Sequence, residues 1–128
     1  MRIDSHQHFW RYDPVKGAWI TDDMKAIRRD FLPDDLSPLF QAHGIDGCVA
    51  VQADQTEDEN HFLLDLAQSN SWIKGVVGWL DLKADNLEER IQFFSENERF
   101  KGVRHVLQTE PDGFMSDPDF VSGVTKVG

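Results

Sequence analysis

Apolar residues along this chain gather into short runs rich in β-branched side chains, and between those runs they recur at helical spacing. Four runs read as strands: Arg2–Trp10, Gly47–Ala53, Ile73–Leu82 and Phe100–Gln108. GCVAVQA is apolar on both faces, as a strand is when helices cover one side and a core fills the other. Helix signals fill the intervals. Ser37-Pro38 supplies an N-cap followed by proline at the first helical position, with Asp34 as an alternative start, and Gly44 supplies the left-handed stop. Thr56 with Glu59, and Asn86 with Glu89, each predict a capping box ahead of an apolar stripe: Phe62, Leu63, Leu66 and Ala67 in one, Leu87, Ile91 and Phe94 in the other. Asp117 and Pro118 open a last helix with Phe120, Val121 and Val124 on its stripe.

Strand, helix, strand in repetition predicts right-handed βαβ units around a parallel sheet, an α/β fold. Its one long polar connection, 11–33, reads as an elaborated loop after the first strand, and such loops are where parallel α/β folds place their sites. Four parallel strands leave open edges and a half-covered face, so residues 1–128 read as the N-terminal half of a single larger domain.

Composition changes the picture in three ways. A formal charge of −10 argues against nucleic acid and anionic membranes as partners, since both need a basic face. It also makes each arginine near a site more telling, Arg104 first among them. No apolar run approaches the roughly 18 residues of a membrane span, and the lone Cys48 sits in an apolar strand, so a cytoplasmic protein is expected.

The candidate chemistry starts in DSHQHFW. Alternate residues of a strand share a face, so Asp4, His6 and His8 point one way and Ile3, Ser5, Gln7 and Phe9 the other. With about 6.6–7 Å between alternate Cα atoms, both imidazoles can converge on one ion. A hydrogen-bonded pair that orients a loop is the alternative, because zinc takes three or four protein ligands. His43, at a predicted helix end, and His61, in a charged helix, read as surface residues. VRHVLQ places Arg104 and His105 at the C-terminal end of the fourth strand, where parallel folds bind ligands. Alternation puts them on opposite faces, and His105 is expected inward with Val103 and Leu107. Gln52, Trp79 and Asp81 also end strands, and substrate contact or loop bracing fits each of them.

DSHQHFW, VQADQT, GVVGWLDL and KGVRHVLQ, in that order across essentially the whole chain, resemble the amidohydrolase superfamily, and within it the amidohydrolase-related branch of sugar-acid and pyrone-dicarboxylate lactonases. The resemblance implies a (β/α)8 TIM barrel of about 250 residues or more, with strands one to four in this chain. It also implies hydrolysis of a lactone or similar cyclic ester by water attack on the carbonyl. His6, His8 and His105 would be catalytic, and Arg104, Gln52, Trp79 and Asp81 would bind substrate. His6 and His8 would hold one divalent metal such as zinc, or work with an arginine in a metal-independent mechanism; further histidines and a strand-eight aspartate would lie beyond Gly128. The partner implied is a small-molecule lactone, and a homo-oligomer fits as well. A truncated, inactive piece or a half-barrel assembly module is the competing expectation for the chain alone.

Overall fold

In the computed structural model, which describes all residues from Met1 to Gly128, four strands form one parallel sheet in the order β1-β2-β3-β4. They are β1 Ile3–Gln7, β2 Gly47–Val51, β3 Ile73–Gly78 and β4 Phe100–Val103. The helices that follow in the chain are α1 Pro33–His43, α2 Glu57–Ser69, α3 Leu87–Ser95 and α4 Pro118–Val127. The architecture is the α/β arrangement expected. Every strand stops short of the predicted run, and the residues just past the strand ends turn into the loops that carry the site.

Two apolar clusters hold helices to sheet. Phe9, Phe40, Cys48, Ala50, Leu63, Ala67, Ile73 and Val76 form the first, and Leu80, Leu82, Leu87, Phe94 and Phe120 the second. Phe9 lies on the helix side of β1, opposite to His6 and His8, as alternation requires. Cys48 is fully buried there, and burial pushes its thiol up to about 12.

The helix starts correct several expectations. α1 begins at Pro33, one residue before the Asp34 alternative and four before Ser37, so Pro38 is interior to the helix. The carboxylate of Asp35 accepts the Leu32 N–H at 3.0 Å, supplying a cap that Leu32 has no side chain to make. Gly44 ends α1 at φ +64°, as its sequence position predicts. Thr56 caps α2, accepting the Glu59 N–H at 3.3 Å, but the Glu59 carboxylate does not return to Thr56. It reaches the Ala53 N–H at 2.9 Å and closes the β2–α2 loop instead. Asn86 makes no side-chain cap, because its backbone is already near-helical at φ −96° and ψ 19°. Asp117 caps α4 through the N–H groups of Asp119 and Phe120.

The 11–33 connection has structure of its own. An antiparallel bridge between Trp10 and Phe31 closes its base, and Asp22–Ile27 forms a 3-10 turn. No helix of the structure is long and apolar enough to cross a membrane.

Candidate functional site

The C-terminal ends of β1, β2 and β4 bring His8, Gln52 and Arg104 together. His8 Nδ1 lies 2.9 Å from the Val51 carbonyl oxygen. A carbonyl only accepts, so Nδ1 carries the proton and Nε2 keeps its lone pair. Burial, with smaller contributions from His6 and Arg104, lowers the His8 pKa and favours that neutral form. His6 Nε2 lies 3.2 Å from His8 Nε2 and is the donor in that contact. Asp4 does not join them; its carboxylate accepts the His6 backbone N–H at 3.0 Å and braces the strand.

Arg104 faces the same cleft as His8. Its guanidinium donates to the Gln52 backbone oxygen at 3.2 Å and lies 3.4 Å from the Gln52 side-chain oxygen, while Gln52 Nε2 donates to the Arg104 carbonyl at 3.2 Å. Gln52 is fully buried by this exchange and stands behind Arg104 instead of lining the cleft. No carboxylate pairs with Arg104, whereas Arg28, Arg29 and Arg90 each have one. A half-buried cation without a counter-charge, in a chain of net charge −10, is poised for an electron-rich oxygen.

His105 is not inward. It does share the side of Val103 and Leu107, but that side faces α4. Its ring stacks on Phe114 and meets Phe120 edge-on. Trp79 Nε1 donates to its Nδ1 at 3.3 Å, which leaves Nε2 to donate to Glu110 at 2.6 Å. The interior positions past β4 go to Arg104, because the aromatic pair 114 and 120 offers the imidazole an apolar seat and Glu110 a partner. Trp79 belongs to the same outer group. Asp81 is engaged with its own loop, accepting the Lys83 N–H at 3.0 Å.

Beside His8 and Arg104 opens a cleft of about 610 Å³. The 11–33 loop forms one wall with Arg11, Tyr12, Lys16 and Trp19, and the β2–α2 loop with the start of α2 forms the other, through Asp54, Asp58 and Glu59. Lys16 Nζ reaches Asp54 across the opening at 2.7 Å, a contact that raises the lysine pKa. Burial raises that of Glu59. Single-sequence reading missed these wall residues, since charges in a polar loop and at a helix start have ordinary explanations. It also missed Asn60, fully buried in α2, which exchanges two 2.7 Å hydrogen bonds with the backbone of Trp79. A Cβ on Gly78 would lie 2.2 Å from the Asn60 side-chain oxygen, so this contact needs glycine. The signal was present: Asn60 precedes Leu63 and Ala67 on the buried stripe.

The Amidohydrolase family model matches residues 3–127. The chain belongs to the amidohydrolase family. It is 46% identical over 126 residues to an L-fucono-1,5-lactonase of Burkholderia multivorans, and 39% identical over 118 residues to one of Burkholderia ambifaria. These matches take in 97% and 91% of this chain but 42% and 41% of the relatives, so the chain spans less than half of their length. Among solved structures, a crystal structure of an amidohydrolase from Burkholderia multivorans with bound zinc superposes with TM-score 0.90 at 46% identity, over 97% of this chain and 44% of that one. A second, with bound HEPES, superposes at 0.91 over the same shares. The amidohydrolase's βα order thus matches the four strands here, which form part of a (β/α)8-type barrel.

The two facing imidazoles suit a divalent ion. Two nitrogens bound to one tetrahedral zinc lie about 3.3 Å apart, from bond lengths of about 2.0–2.1 Å, and the two Nε2 atoms here are 3.2 Å apart. The Val51 carbonyl on His8 Nδ1 is the outer hydrogen bond that metal-binding histidines use to fix their tautomer. No third His, Cys, Asp or Glu joins them within this chain.

Proposed function

We propose that this chain is the N-terminal part of a lactonase that opens a sugar-acid lactone by attack of water on the ring carbonyl. What carries the reading is the convergence of two imidazole Nε2 atoms beside an Arg104 guanidinium that has no carboxylate partner, at the C-terminal mouth of a parallel sheet. The similarity to proteins named L-fucono-1,5-lactonase supports a sugar lactone as the substrate class.

In this reading Arg104 donates to the carbonyl oxygen and to the negative charge that grows on it as water adds. Substrate and water entering here displace the His6–His8 contact, which frees His6 Nε2–H as a second donor to that oxygen and the lone pair of His8 Nε2 to accept a hydrogen bond from the water. The water oxygen bonds to the carbonyl carbon, the ring C–O bond breaks, and its oxygen leaves as a hydroxyl. The products are a hydroxy acid, ionised at neutral pH, and one proton. Gln52 positions Arg104. His105 and Trp79 hold the far side of the strand end, and Asp81 braces a loop. A divalent ion held by His6 and His8 would supply Lewis-acid polarisation of the carbonyl.

Proton release from L-fucono-1,5-lactone in weak buffer, by the complete polypeptide that carries these residues, tests the proposal. Arg104→Met and His8→Ala are expected to lower kcat/KM by about a hundredfold or more, the scale of losing one such donor or proton-transfer group. Full activity in either variant would overturn the assignment.

A further inference from the structure

The Lys16–Asp54 pair is exposed, and both of its members line the cleft. Asp13 accepts the backbone N–H groups of Val15 at 2.7 Å and Lys16 at 3.0 Å, which shapes the turn that presents the lysine. Lys16 keeps 61% of its side-chain exposure and Asp54 34%. An exposed pair of this kind adds little to folding, so stability gives little reason for a 2.7 Å contact at the mouth.

The chemistry of the pair is more selective than that of either member. A lone lysine attracts carboxylates, but here the charge is answered by Asp54. An ammonium has three donors, and one is used on Asp54 Oδ2. That leaves two donors on Lys16 beside the free acceptor Asp54 Oδ1. Donor and acceptor side by side match neighbouring hydroxyls, each of which can give and take a hydrogen bond. Tyr12 and Trp19 line the same cleft and offer apolar faces to ring C–H groups, and Trp19 is 65% exposed there.

We infer that Lys16 and Asp54 are specificity-determining residues that bind the ring hydroxyls of a polyhydroxylated lactone. The inference rests on the lactonase reading above. It assigns the hydroxyl-bearing edge of the ring to the loop wall and leaves the carbonyl to His8 and Arg104.

The test is steady-state kinetics of the complete polypeptide on L-fucono-1,5-lactone, with δ-valerolactone, which has no ring hydroxyls, as substrate or competitive inhibitor. Lys16→Met and Asp54→Asn are each expected to raise KM for the hydroxylated lactone about tenfold, the scale of one hydrogen bond to a charged group. Their kcat and their affinity for δ-valerolactone should stay within about twofold, and Lys16→Arg should restore part of the loss. An unchanged KM, or an equal loss for both lactones, overturns the inference, the second because it would mark a merely collapsed loop. Failure of the lactonase reading has a different signature: His8→Ala and Arg104→Met would then leave turnover intact, whatever Lys16 does.

Discussion

The two sides of the cleft are built on different physical terms. The floor, at the strand ends, is held by backbone: the Val51 carbonyl fixes His8, the Gln52 carbonyl and side chain fix Arg104, and Asn60 clasps the backbone of Trp79. The wall, in the 11–33 loop, is held by exposed charges such as Lys16–Asp54 and Arg28–Asp22. Buried, satisfied polar groups are costly to disturb, whereas surface ion pairs can change with little effect on folding. In the proposed lactonase, a floor of the first kind keeps the reacting groups in one geometry. A wall of the second kind can be altered to suit different ring substituents while that geometry stays where it is.

The comparison predicts a graded series of stability effects, read by urea denaturation. Gly78→Val forces its side chain into Asn60 and Phe100, contacts already at 2.2 and 2.6 Å for a single Cβ, and is expected to cost about 3 kcal/mol or prevent folding. Asn60→Ala leaves the Trp79 N–H and C=O without their partners and should cost about 2–3 kcal/mol. Thr56→Ala removes one helix cap, for about 1 kcal/mol. Lys16→Met should fall below about 0.5 kcal/mol. A wall variant as destabilising as Asn60→Ala would break the comparison.

Cys48 gives a second way to probe the floor. Its thiol titrates near 12 in the folded protein against an ordinary value of 9.0, so the folded state holds its proton when the unfolded chain has lost it. The associated stability is intact below pH 9 and declines as pH rises from there toward 12. A thiol reagent at pH 8 should leave the native protein unlabelled and label it on unfolding. Rapid labelling of the native state would show that the sheet beneath His8 opens readily.

Much of the fold was legible in the chain because apolar spacing reports which face is covered. The succession of strands and helices along the chain, the Gly44 stop, the Thr56 cap and the Asp117 start all follow from local rules, and the structure has them. Strand ends were overrun because an apolar residue in the loop past a strand looks the same as one inside it. Of the first capping box only the Thr56 half formed, and the second did not form because the turn directly before α3 had already set the Asn86 backbone. In the site, His6 and His8 could be picked out by alternation and Arg104 by its place at a strand end, although alternation alone assigned the inward side to His105. The side taken by His105 could not, since the residues that seat it, Glu110, Phe114 and Phe120, come later in the chain and meet it only in the folded state. Lys16 and Asp54 are 38 positions apart, and nothing local couples them.

The central claim is that the β2 backbone holds His8 as a neutral imidazole with its Nε2 lone pair facing His6, at the cleft that Arg104 also lines. Nitrogen-15 NMR of histidine-labelled complete polypeptide reads that tautomer directly. At neutral pH, in the metal-free protein, His8 is expected to show a protonated Nδ1 and an unprotonated Nε2, and substitution of Arg104 by Met should leave this pattern in place. A His8 with its proton on Nε2 and a bare Nδ1 would contradict the account.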